Sequence, residues 1–67
     1  MSASAGEVAV AIIGLSEHDA RSRVESDGFV WRVIKRDGVA IPHRLDKRPN
    51  RISVEITDGT VTGASVY

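Results

Sequence analysis

The spacing of apolar and polar positions changes several times along the chain, and each change marks an element. Val8 to Ile13 is an almost unbroken apolar run with β-branched residues, which predicts a short strand or extended lead-in that Gly14 breaks. Residues 1–6 are small and polar and read as a disordered leader. Ser16-Glu17-His18-Asp19 then has the spacing of a capping box with Asp in place of Glu. The Ser16 oxygen can accept from the amide three residues on, and the acidic side chains suit the positive end of a helix dipole. The pattern predicts a helix from Glu17 to Ser26, ended by Asp27-Gly28 with Gly28 in the left-handed conformation of a helix stop. Ala20 and Val24, four apart, are its thin apolar stripe, so it packs through one face only.

Phe29 to Arg36 is rich in aromatic and β-branched residues and reads as a strand. Phe29, Trp31, Val33 and Lys35 form its expected core face; Val30, Arg32 and Ile34 form the other. Asp37-Gly38 turns the chain away. Arg51 to Thr57 alternates cleanly, with Ile52, Val54 and Ile56 inward and Arg51, Ser53, Glu55 and Thr57 outward. Asp58-Gly59 signals a hairpin into an antiparallel strand from Thr60 to Val66, with Val61 in the core and Gly63-Ala64 bending the strand. The expected class is α+β: one helix packed on a small mixed sheet. A long exposed loop joins two parallel strands, because that connection is too long for a tight hairpin and long enough for a crossover.

Composition narrows the functional classes. Sixty-seven residues allow one domain, expected over residues 7–67, with a small core and marginal stability. Without cysteine there is no disulfide and no thiol chemistry. Net charge is zero, which gives no general pull towards nucleic acid or membrane. No apolar run approaches the ~18 residues of a membrane helix. Glu7 to Ile13 lacks the basic flank of a secretory signal, so the expectation is a cytoplasmic chain or one secreted after its signal was removed. Ser16, His18 and Asp19 share one helical turn and point in different directions, and His18 and His43 have no second ligand at metal spacing. Neither an enzyme nor a metal or cofactor site is therefore expected. Trp31 reads as core packing.

The stretch that remains is Gly38 to Arg51. It holds both prolines, and apolar residues (Val39, Ile41, Leu45) without period. Within residues 41–51, Arg44, Lys47, Arg48 and Arg51 face Asp46 alone, a local charge of +3 in a neutral chain. Loops this long in a small domain are more often functional than idle. Residues 38–50 are read as a binding loop recognised by another protein.

From Asp46 the sequence runs Asp46-Lys47-Arg48-Pro49-Asn50-Arg51-Ile52-Ser53-Val54-Glu55-Ile56. With Ile13-Gly14-Leu15 before a capped helix, Trp31-Arg32-Val33-Ile34, and Asp58-Gly59-Thr60-Val61-Thr62, it resembles the potato inhibitor I type of serine protease inhibitor. It is most similar to the bacterial and fungal elastase-inhibitor-like branch. The likeness covers about residues 12–67. It implies a substrate-like loop in which Leu45–Asp46 is the bond offered to the enzyme and Leu45 fills the primary pocket. Ile41, Pro42, His43, Arg44, Asp46 and Lys47 complete the protease-contact segment, and Arg51 and Arg48 support it from beneath. The implied partner is a subtilisin-like or chymotrypsin-like serine protease; with the register slipped by one, Arg44 would be offered to a trypsin-like enzyme. A guanidinium suits the supporting task, since its rigid fork of five donors can hold carbonyls and the Asp46 carboxylate together.

The chain departs from the family at several positions. Arg44 stands where Thr is usual, Lys47 where an aromatic is usual, and Ser53 where plant members carry a second supporting arginine; the paired cysteines of many bacterial members are absent. The competing reading is a non-inhibitory protein-binding module of the same fold, using its basic loop. Nucleic acid is disfavoured because the loop has no aromatic residue to stack on a base. An exposed edge strand leaves a homodimer open.

Overall fold

In the computed structural model, which describes residues 3–67, two helices cover one face of a four-stranded sheet. The elements are α1 (Ala5–Ala11), α2 (Glu17–Ser26), β1 (Val30–Arg36), β2 (Val39–Ala40), β3 (Arg51–Thr57) and β4 (Thr60–Val66). The sheet order is β2-β1-β3-β4. β1 and β3 are parallel; the other neighbours are antiparallel. The α+β class and the long loop between two parallel strands are as the sequence implies. No helix of the described residues is long and apolar enough to cross a membrane.

The first helix corrects the reading of the N-terminal run. Residues 5–11 are helical where a leader and then a strand are expected from β-branched content. Ser4 accepts from the Glu7 amide at 3.2 Å and the Glu7 carboxylate accepts from the Ser4 amide at 3.3 Å, a complete capping box. Val8 and Ile12, four apart, fall on one side and are fully buried. That helical spacing outweighs the strand preference of single residues. The expected leader thus begins the domain from Ser4 onward; Met1 and Ser2 lie outside the described residues.

α2 has the expected bounds. Ser16 caps it through the Asp19 amide, and a double bond pattern closes it, Phe29 N–H to Val24 O and Gly28 N–H to Glu25 O, with Gly28 at φ +83°. The segment between the helices is pinned to the start of β4 by Gly14 N–H to Val61 O, Val61 N–H to Leu15 O and Glu17 N–H to Gly59 O.

The core joins Val8, Ala9 and Ile12 of the first helical segment, Ala20 and Val24 of α2, Ile52, Val54 and Ile56 of β3, and Val61 of β4. Phe29, Trp31 and Val33 pack against it, half-buried. Lys35, expected on the same face, is exposed instead. The β1–β3 register slips between Val33 and Lys35, leaving Ile34 as an extra residue, so Lys35 lies opposite Glu55 with its Nζ 3.8 Å from the carboxylate. One inserted residue reverses the side of every position after it. A second irregularity, between Glu55 and Ile56 of β3, leaves Thr62 as an extra residue and brings Val61 opposite Ile56.

Both Asp-Gly pairs make tight reversals. Asp37 and Gly38 (φ +51° and +80°) join β1 to β2, and Asp58 and Gly59 (φ +50° and +75°) join β3 to β4. Positive φ at both central residues is the hairpin geometry that matches strand twist. The two turns lie side by side, since the Asp58 amide donates to Asp37 Oδ1 at 2.8 Å. At this end Arg36 also grips Glu17 with two bonds, 2.6 and 2.8 Å.

Candidate functional site

After β2 the chain runs back along the sheet as residues 41–50, towards the end where β1 and β3 begin. Ile41 N–H donates to Ile34 O, which anchors the start, and Val30 N–H donates to Asn50 O, which anchors the finish. Between these anchors the main chain of residues 42–47 makes no main-chain hydrogen bond among the described residues. Its shape is set by side chains.

Two guanidiniums do this. Arg51, the first residue of β3, is nearly covered, with 12% of its side chain exposed. Its Nη2 donates to Asp46 O at 3.0 Å, to Asp46 Oδ1 at 3.2 Å, and to the Tyr67 main-chain oxygen. Its Nε is buried without an acceptor among the described residues. Arg32, on β1, is equally covered, at 15%. It donates through Nη1 to Arg44 O at 3.2 Å, through Nη2 to Tyr67 O at 3.1 Å, and through Nε to Ser53 Oγ at 3.0 Å. Its guanidinium carbon lies 5.2 Å from the centre of the Tyr67 ring, a cation–π contact. Arg32 and Ser53 are register partners across the parallel pair. Ser53 is buried, and its short side chain leaves the space that the Arg32 side chain fills.

Sequence reading missed Arg32, because a side chain from the neighbouring strand is found only once the register is known. A signal was present nonetheless: Ser53 is short between the long outward residues Arg51 and Glu55, so something must cover that position.

Asp46 is the junction of the site. Arg48 reaches it from solvent, Nε to Oδ2 at 3.0 Å, and Arg51 from below; Arg32 stands 3.9 Å away. The Arg48 hydrogen bond, and then that of Arg51, holds the Asp46 carboxyl down at about 2 against an ordinary 3.8. His43 Nδ1 lies 2.9 Å from Ile41 O, and its ring is tilted against Tyr67 with centroids 6.3 Å apart. Ile41, His43 and Asp46 are half-buried, while Pro42, Arg44, Lys47 and Arg48 are exposed.

Leu45 is 90% exposed, the most open of the large apolar residues among those described. The carbonyls on either side of it, Arg44 O and Asp46 O, are the ones the arginines hold. The main-chain groups of His43 and Leu45 have no partner among the described residues. Along an extended chain, alternate residues present their N–H and C=O groups to opposite edges. The carbonyls of Arg44 and Asp46 are therefore tied to the domain, while the main-chain donors and acceptors of His43 and Leu45 are unused among the described residues. Comparison with family models, with curated proteins and with solved structures finds no match to this chain.

Proposed function

We propose that the chain is a serine protease inhibitor of the potato inhibitor I type, offering Leu45–Asp46 to the enzyme as a substrate would. The observation that carries this reading is the alternation at the loop. Arg32 and Arg51 take up the Arg44 and Asp46 carbonyls, while the Leu45 carbonyl and the main chain of His43 stay unpaired around a fully presented apolar side chain. A protease binds substrate by pairing with an extended main chain and by polarising the carbonyl at the bond to be cut. Those are the groups left open here.

The mechanism follows from the same contacts. The Leu45 side chain fills an apolar primary pocket, and its carbonyl enters the oxyanion hole. Attack by the serine forms the acyl-enzyme at Leu45 and releases the amino group of Asp46. Asp46 does not leave, because its carbonyl and carboxylate are held by Arg51 and its carboxylate also by Arg48. The amine stays beside the ester at high effective concentration and re-forms the bond faster than water cleaves it. A loop already held in its bound shape also avoids the ordering cost of a flexible peptide.

The test is residual activity of subtilisin and chymotrypsin on a chromogenic substrate at near-stoichiometric inhibitor, with mass analysis of the recovered chain. Loss of activity with slow cutting between Leu45 and Asp46 is expected, and Leu45→Lys should transfer inhibition to trypsin. Rapid cutting in the loop with no loss of enzyme activity overturns the proposal.

A further inference from the structure

The cations at the loop fall into two groups. Arg32, Arg48 and Arg51 are engaged with Asp46 or with main-chain oxygens. Arg44 and Lys47 are exposed and have no acidic partner among the described residues. They stand one residue before and two residues after Leu45. An apolar residue open to solvent is thus bracketed by free positive charges, beside an Asp46 carboxylate that three further arginines already approach.

The opposite end of the sheet has the other sign. Asp37 and Asp58 form its turns, and α2 begins there with Glu17 and Asp19, the Glu17 amide being bonded to Gly59 O. Arg36 is engaged with Glu17. A chain of zero net charge is therefore polarised along its strands, with the loop at the positive pole. Such a field orients the molecule during approach and raises the rate at which the positive end meets a negative surface.

We infer that Arg44 and Lys47 select the partner: a serine protease whose apolar primary pocket is flanked on both sides by carboxylates. The inference rests on the inhibitory reading and adds a specificity that Leu45 alone does not supply. Carboxylates beside the pocket pair with Arg44 on one flank and Lys47 on the other, while the apolar pocket takes Leu45 between them. Because both cations are solvated in the free chain, their contribution falls mainly on the association rate and is screened by salt.

The experiment measures association and dissociation rate constants for the full chain and for Arg44→Gln, Lys47→Gln and the doubly substituted chain. The targets are a serine protease with acidic residues bordering an apolar pocket, and the same enzyme with those residues changed to amides. Each pair is measured at about 20 mM salt, where the Debye length spans the contact at roughly 20 Å, and at about 500 mM, where it falls to roughly 4 Å. The double substitution should slow association with the acidic enzyme by roughly 10-fold at low salt, with dissociation changing far less. The loss should shrink at high salt and against the amide form. Thermal melting of the variants should match the parent, since both side chains are exposed. Equal association of parent and double variant with the acidic enzyme at low salt overturns the inference and leaves inhibition standing. Inhibition of neither enzyme form by the parent chain overturns the inhibitory reading and this inference with it.

Discussion

At the turn end of the sheet, Asp37-Gly38 and Asp58-Gly59 reverse the chain within strand ladders, and the start of α2 is tied to β4 by main-chain bonds. At the loop end, residues 42–47 have no such bonds among the described residues and depend on Arg32 and Arg51. Both ends carry arginine–carboxylate pairs of good geometry, but the pairs do different work. Arg36–Glu17 decorates a backbone that is already closed, and at a solvated site such a pair is worth little. Arg51–Asp46 is part of what gives its backbone a shape. The difference teaches that an ion pair matters according to what else holds the same segment.

The largest perturbation removes the comparison itself. Ile52→Ala strikes the fully buried core face of β3, one residue from Arg51, and should cost about 2–5 kcal/mol. In so small a domain this is enough for chemical denaturation to begin near zero denaturant, with both ends lost together. Retention of either end in the amide exchange pattern would show that the ends are independently stable.

Arg51→Ala sharpens the contrast. It should cost about 1–3 kcal/mol globally, from hydrogen bonds to a charged group, yet accelerate proteolysis between residues 43 and 48 well out of proportion. Arg32→Ala should act likewise. Because the two arginines share Tyr67 O and flank Asp46, the double variant should lose less than the two single losses added. Strict additivity in denaturation and proteolysis would mean they do not act as one brace. Arg51→Lys should not restore protection, since an ammonium cannot reproduce the fork.

Gly59→Ala acts only at the other end. The position has φ +75° with open space around the missing Cβ, so the cost is conformational, about 1–2 kcal/mol. Loop proteolysis should be unchanged apart from that global loss. The smallest effect is expected of Glu17→Gln, under about 1 kcal/mol in denaturation.

Acid separates the ends by spectroscopy. The folded pKa of Asp46 is depressed, so its contribution is complete above its ordinary 3.8 and is lost as pH falls towards about 2. Glu17 is lowered as well, first by its hydrogen bond from Arg36, and its contribution too is present above the ordinary value and lost on acidification. Amide signals of residues 43–47 should broaden through the Asp46 window while those of the Asp-Gly turns persist. Asp46→Asn should abolish the loop's response to acid; the same titration in that variant would assign it to another group.

Much of the architecture was legible because it is local. The cap at Ser16, the stop at Gly28, the alternation from Ile52 to Ile56 and the reversal at Asp58-Gly59 each act within a few residues. α1 was legible too, in Ser4-Ala5-Gly6-Glu7 and the spacing of Val8 and Ile12, but single-residue strand preference pointed the other way. The position of Lys35 was not legible, since nothing in Val33-Ile34-Lys35 announces a register slip that arises from pairing with β3. At the loop, Arg51 and Asp46 are close in sequence and could be matched. Arg32 meets Arg44 O only because β1 and β3 lie side by side, a relation between strands rather than within one.

The only tyrosine and the only tryptophan sit at different places in this scheme. Tyr67 lies among Arg32, His43 and the oxygen that both arginines share, while Trp31 packs against the core from β1. The molecule thereby carries two native optical labels on separate circuits. Indole emission follows the integrity of the sheet, and the phenol absorption and ring resonances follow the state of the loop. Release of the loop can be watched in the unlabelled chain, with the phenol responding and the indole serving as the reference.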